Sequence, residues 1–71
     1  MDLVIGAVYE HMKGMRYCVV GVAKHSENLE EMVVYRQLYG EHGLWVRPKS
    51  MFLEEVERDG KMVQRFKLVQ E

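Results

Sequence analysis

Met15-Arg16-Tyr17-Cys18-Val19-Val20-Gly21-Val22-Ala23-Lys24 is the stretch on which the fold turns. Tyr17, Val19, Val20 and Val22 are aromatic or β-branched, and such side chains fit a pleated surface better than a helix. Gly21 inside the run predicts a bulge or a sharp bend, as a small closed barrel needs. Turn signals surround the stretch at short intervals. Lys13-Gly14 separates residues 4–12 from 15–24, and Gly40-Glu41-His42-Gly43 separates 31–39 from 44–47. Asp59-Gly60 divides 53–58 from 61–69, and this dipeptide signals a tight hairpin because both positions tolerate positive φ. Phe66 and Leu68 alternate with Arg65 and Lys67, which gives the last strand one buried and one wet face.

Residues 26–39 read two ways. Ser26 could cap a helix, with Leu29, Met32 and Val33 at helical spacing, but Met32-Val33-Val34-Tyr35 is a strand-like run. The reading favoured is a loop or single helical turn at 25–30 followed by a strand. The only proline, Pro48, follows Trp45-Val46-Arg47 and precedes Lys49-Ser50-Met51-Phe52. A strand, a proline and one tight turn carrying an aromatic is how Src-homology-3-like barrels close their last corner. The expectation is one mainly β domain over residues 1–71. It is a small Src-homology-3-like barrel of five to six antiparallel strands with a short helical turn, and Asp59-Gly60 joins its last two strands. Val19, Val34, Val46, Phe66 and Leu68 are the expected core.

A chain of 71 residues buries only about 60–65% of the surface its unfolded form exposes, so its stability is marginal. The single cysteine, Cys18, excludes an internal disulfide, and no Cys-x-x-Cys or His-x-x-x-His pair offers metal-ligand spacing. No cofactor and no metal are therefore expected, and packing or a homodimer must supply stability. Ten Lys and Arg against eleven Asp and Glu give a net charge of −1, which is not the basic excess of a chain that lives on phosphate contacts. No apolar run reaches the roughly 18 residues of a membrane helix. Met1-Asp2-Leu3-Val4-Ile5 lacks the basic start and apolar stretch of a signal peptide, so a cytoplasmic location is expected.

Several strings together resemble a known family. They are Gly6-x-x-Tyr9-x-His11-x-Lys13-Gly14, Ala23-Lys24-His25-Ser26-Glu27, Val33-Val34-Tyr35-x-x-Leu38-Tyr39, Leu44-Trp45-Val46-Arg47-Pro48, Met51-Phe52 and Arg65-Phe66. The chain is similar, from Gly6 to about Leu68, to the short bacterial proteins of domain of unknown function 1653. It departs from their pattern at Asn28, where the family carries threonine. The resemblance implies a small β-rich domain and supplies no activity.

Two groups of residues are candidates for function. In His25-Ser26-Glu27 a catalytic relay would need the side chains to converge, yet neighbours on an extended segment point to opposite faces. A turn would instead set Ser26 and Glu27 against backbone amides. Trp45, Arg47, Pro48, Met51 and Phe52 form the densest aromatic and basic group. With Trp45 and Arg47 on one strand face, Leu44 and Val46 occupy the other and are assigned to the core, leaving an exposed indole beside a guanidinium. The leading reading is a non-enzymatic binding module. Tyr9, Tyr35, Trp45 and Phe52 would wall its groove, rimmed by His25, Ser26, Glu27, Arg47 and Arg65. Its partner would be a protein or peptide.

The alternatives are a nucleic-acid-binding domain working through Arg16, Arg36, Arg47 and Arg65 and a small enzyme acting on a nucleotide-like substrate through His25 and Glu27. Seventy-one residues leave little room for the roughly 300 Å³ pocket such an enzyme needs. The folded positions of the four arginines decide between protein and nucleic acid.

Overall fold

A computed structural model describes residues 3–71; Met1 and Asp2, which open the stretch read for a signal peptide, lie outside the described residues. The chain is mainly β. Its elements are β1 (Val8–His11), β2 (Arg16–Lys24), β3 (Glu31–Gln37), β4 (Leu44–Pro48), α1 (Lys49–Phe52), β5 (Glu55–Arg58), β6 (Lys61–Gln64) and β7 (Phe66–Gln70). Seven strands are thus described where five or six were expected. The surplus arises because residues 61–69 do not form one strand. Arg65 breaks the run by donating its N–H to the Glu54 carbonyl at 3.0 Å, and the chain starts afresh at Phe66. Asp59-Gly60 consequently joins β5 to β6, not the last two strands. Both residues have positive φ, +54° and +79°, the backbone that a tight hairpin turn demands.

Five strands form an antiparallel sheet in the order β4-β3-β2-β1-β7, and β5 and β6 pair separately. The sheet is open, with β4 and β7 as its edges, but it curls. Four strand spacings in a flat sheet are about 19 Å, well beyond the reach of one arginine side chain. Yet the Arg47 guanidinium carbon on β4 lies 5.5 Å from the Phe66 ring centre on β7. One source of curvature is the extra residue between Val19 and Gly21. Val19 pairs with Tyr35 and Gly21 with Val34, so Val20 is a bulge, and bulges bend a strand.

The curled sheet encloses Ala7, Tyr9, Tyr17, Val19, Val33, Tyr35, Phe52 and Phe66. Phe66 is the centre: Phe52 stacks on it at 4.0 Å, and Tyr17 and Tyr35 meet it at 5.7 and 5.5 Å. Val19 and Phe66 are core as expected, and Leu68 packs partly against them. Val34 and Val46 are not core. Met32-Val33-Val34-Tyr35 is apolar in both phases, and the phase that buries Val33 and Tyr35 wins because it sends the larger ring toward Phe52 and Phe66. Val46 is 59% exposed and Leu44 54%, because β4 is an edge and its outer face carries no second layer. No helix among the described residues is long and apolar enough to cross a membrane.

Candidate functional site

The face of β4 that carries Trp45 and Arg47 is the inner one, since Trp45 pairs with Tyr35 and Arg47 with Val33. Being at the edge, these two side chains reach past the core to its rim. Trp45 is 54% exposed, and its indole N–H donates to the side-chain oxygen of Gln37. The same Gln37 amide donates to the Tyr39 carbonyl at 3.1 Å, so one side chain fixes both the indole and the start of the loop after β3.

Arg47 is half-buried. Its Nε donates to the Tyr35 hydroxyl at 3.4 Å while its guanidinium lies over Phe66, a stacking geometry that arginine favours. Among the described residues the ion pairs are Arg16–Glu10, Lys49–Glu31 and Arg65–Glu54; Arg47 faces no carboxylate. Next to it the Tyr17 and Tyr39 hydroxyls share a 2.6 Å hydrogen bond. Burial, followed by that bond and by the nearby Tyr39 and Tyr35, pushes the Tyr17 phenol up to about 12, against a smaller opposing pull from Arg47. Across the rim His11 sets its ring edge on Phe66 at 4.9 Å. Burial holds the imidazole below its ordinary value, helped in decreasing order by Arg47, Lys13, Arg65 and Arg58. Four cations thus act on one imidazole in a chain of net charge −1.

Of the other expected site residues Arg65 also acts on His11 at the rim, and the rest lie elsewhere. Phe52 is fully buried, and Tyr9 and Tyr35 are 3% and 4% exposed, so these three rings belong to the core, Tyr9 alone of them also bordering a cleft. They are drawn inward by the aromatic cluster, with Tyr9 meeting Phe52 edge-on at 5.4 Å. Arg65 is tied to Glu54 at 2.7 Å. His25, Ser26 and Glu27 belong to the β2–β3 loop. His25 lies three residues beyond Val22, which is level with Arg47 through Val33, a strand distance of about 10 Å. Within the loop the His25 imidazole itself is the lock, its Nδ1 accepting the Glu27 N–H at 3.1 Å. Asn28 closes the other half by accepting the Glu30 N–H at 2.8 Å, an acceptor role a threonine hydroxyl fills more weakly.

Tyr17, Tyr39, Gln37 and His11 were not singled out as partners of Trp45 and Arg47. The signal for Gln37 was available once Glu31–Gln37 is read as a strand, because Tyr35 and Gln37 then share a face. Two open clefts of about 500 and 680 Å³ lie near the β5–β6 hairpin. Chain length alone therefore does not forbid a pocket. The first is lined by Glu10, Arg58 and Lys67 among others and the second by Tyr9, Glu55 and Leu68, and neither includes Trp45 or Arg47. No cluster of three or more metal-ligating side chains occurs among the described residues.

Comparison with known proteins agrees with this architecture. The family model for the protein of unknown function DUF1653 matches residues 7–68. A crystal structure of a DUF1653 protein from Bordetella bronchiseptica is 34% identical, with a TM-score of 0.86 over 97% of this chain and 90% of that one. No curated protein matches. Matched along most of its length by the family model and at this identity by a solved relative, the chain belongs to the DUF1653 family.

Proposed function

We propose that this chain is a non-enzymatic binding module, built as a small Src-homology-3-like barrel, that holds an extended, acid-bearing segment of a protein partner at the Trp45–Arg47 rim. The observation that carries this reading is Arg47: a half-buried cation, held over Phe66 and by Tyr35, that faces no carboxylate among the described residues. A guanidinium so placed is pre-organised for a carboxylate, and the adjacent exposed indole supplies a flat apolar contact. The path of the chain supports the barrel reading. A four-strand meander, a helical turn after Pro48 and a last strand returning to β1 is the route of Src-homology-3-like barrels. A lone free thiol, Cys18, accords with a cytoplasmic location.

The arginine positions favour protein over nucleic acid. Arg16 and Arg65 are paired with carboxylates, and Arg36 is spent on the His42 carbonyl at 2.7 Å. Each of the three is thus engaged within the chain, whereas Arg47 forms no ion pair among the described residues. The enzyme reading loses support, because His25 Nδ1 is committed to the loop backbone.

Titration of isotope-labelled protein with an extended Glu/Val peptide, its Lys/Val counterpart and a mixed-sequence single-stranded oligonucleotide tests the proposal. The acidic peptide should move the Trp45 indole and Arg47 Nε signals. Arg47→Ala should weaken its binding by about 10- to 100-fold, the loss of one charge-assisted hydrogen bond, with the fold retained although the melt falls through lost packing on Phe66. Oligonucleotide binding that falls steeply with salt and vanishes in Arg47→Ala would overturn the proposal in favour of nucleic acid.

A further inference from the structure

The outer edge of β4 has a hydrogen-bonding pattern that can be read from its pairing. The Gln37 N–H donates to the Gly43 carbonyl at 3.0 Å, one step beyond the Arg36–Leu44 pair. Bonded and non-bonded pairs alternate in an antiparallel ladder, so Trp45 and Arg47 exchange the bonds with β3. Leu44, Val46 and Pro48 turn their backbone groups to the open edge, and Pro48 has only a carbonyl to offer. Leu44, Trp45 and Val46 are each more than half exposed. Three consecutive exposed apolar residues on an uncovered edge form a template for another strand. The opposite edge, β7, is defended by Lys67 and by the bulge where Val8 pairs with Gln70 and Tyr9 with Leu68.

We infer that a second copy of this chain pairs antiparallel along β4, in the register that sets Trp45 opposite its counterpart on the two-fold axis. Self-complementarity selects this occupant. In that register Leu44 and Val46 of each copy exchange both of their outward bonds with Val46 and Leu44 of the other, and Pro48 falls outside the ladder. Shifting so that Val46 meets its own counterpart sets Pro48 opposite Leu44, whose carbonyl loses its donor. Shifting the other way demands an extended His42, which sits at φ +56° in a turn. The two indoles then meet at a non-bonded pair, where strands approach closest and aromatic pairs gain most. Leu44–Val46 contacts form on the outer face, where both side chains are exposed. The strand carries one cation and no acid, so the axis brings no like charges into register.

The contact is small, below about 1,200 Å² in total, which corresponds to reversible association. The dimer shares Trp45 with the proposed peptide site and leaves Arg47 to that site alone, setting two Arg47 rims side by side on one sheet. Sedimentation of the full chain should show a weight-average mass rising toward twice the chain mass between micromolar and about 1 mM protein. An indole exciton couplet should appear with it. Val46→Pro removes an outward N–H that β3 does not use, so it should keep the fold and hold the protein monomeric. Val46→Lys should do the same by charging the edge, and it decides the matter if the proline variant does not fold. Arg47→Ala should leave association unchanged while weakening binding of the acidic peptide, which separates this inference from the binding proposal. A wild-type monomer at every concentration, or a dimer that persists in both Val46 variants, would refute it.

Discussion

At the scale of single residues, His11 links the site to pH. Its imidazole is held below the ordinary value by burial and then by Arg47, Lys13, Arg65 and Arg58. The folded chain therefore takes up this proton less readily than the unfolded one. Stability from His11 is fully present above the unfolded value of 6.5 and is lost as pH falls from there through the folded value, because the unfolded state binds the proton first. The fall in melting temperature between about pH 7.5 and 5.5 should be shallower in His11→Gln than in the parent, measured by circular dichroism. Two melting curves that move in parallel would show that neither burial nor the cations hold the imidazole below its ordinary value. An acid bound at Arg47 reverses part of that field, so the same imidazole also reports occupancy of the rim.

At the scale of elements, the β5–β6 hairpin stands apart. Among the described residues its strands pair only with each other, an Arg58 bond to the Met12 carbonyl tying it to the sheet, and a two-stranded ribbon is marginal alone. Its amides should exchange hydrogen faster than those of β2 and β3, by at least about tenfold, since local opening there need not break the aromatic core. Equal protection across both would mean that the hairpin opens only with the whole domain. Element scale is also where the sequence was most and least legible. The β2 run, its bulge near Gly21, the 25–30 loop and the Asp59-Gly60 turn were legible because each rests on local backbone chemistry. The face of β3 was not, because Val33-Val34 offers an apolar residue to either side and only the distant Phe52 and Phe66 break the tie. The alternation of β4 was legible, with Trp45 and Arg47 on one face. Which of its faces looks inward was not, because that depends on β4 being an edge. Arg65 misled as the outward member of an alternating strand, because Glu54 had no visible reason to claim it.

At the scale of the whole molecule, stability is concentrated in one aromatic cluster. Phe66 touches Phe52, Tyr17, Tyr35 and His11 and lies under Arg47. Phe66→Ala should cost about 3–5 kcal/mol, a large share of the total for so small a domain. Chemical denaturation should therefore find it largely unfolded or barely cooperative, and a melt within a degree or two of the parent would contradict the cluster. The same cluster depends on the sheet being curled, and Val20 contributes to the curl. Its neighbours Val19 and Gly21 already pair with the consecutive residues Tyr35 and Val34. Removing Val20 from the chain would leave every partner in β2 and β3 with the partner it has now. Counted in residues, Val20 is superfluous to the pairing; counted in shape, it helps the strand turn the corner, so a length change here alters curvature while leaving the alignment of the strands untouched.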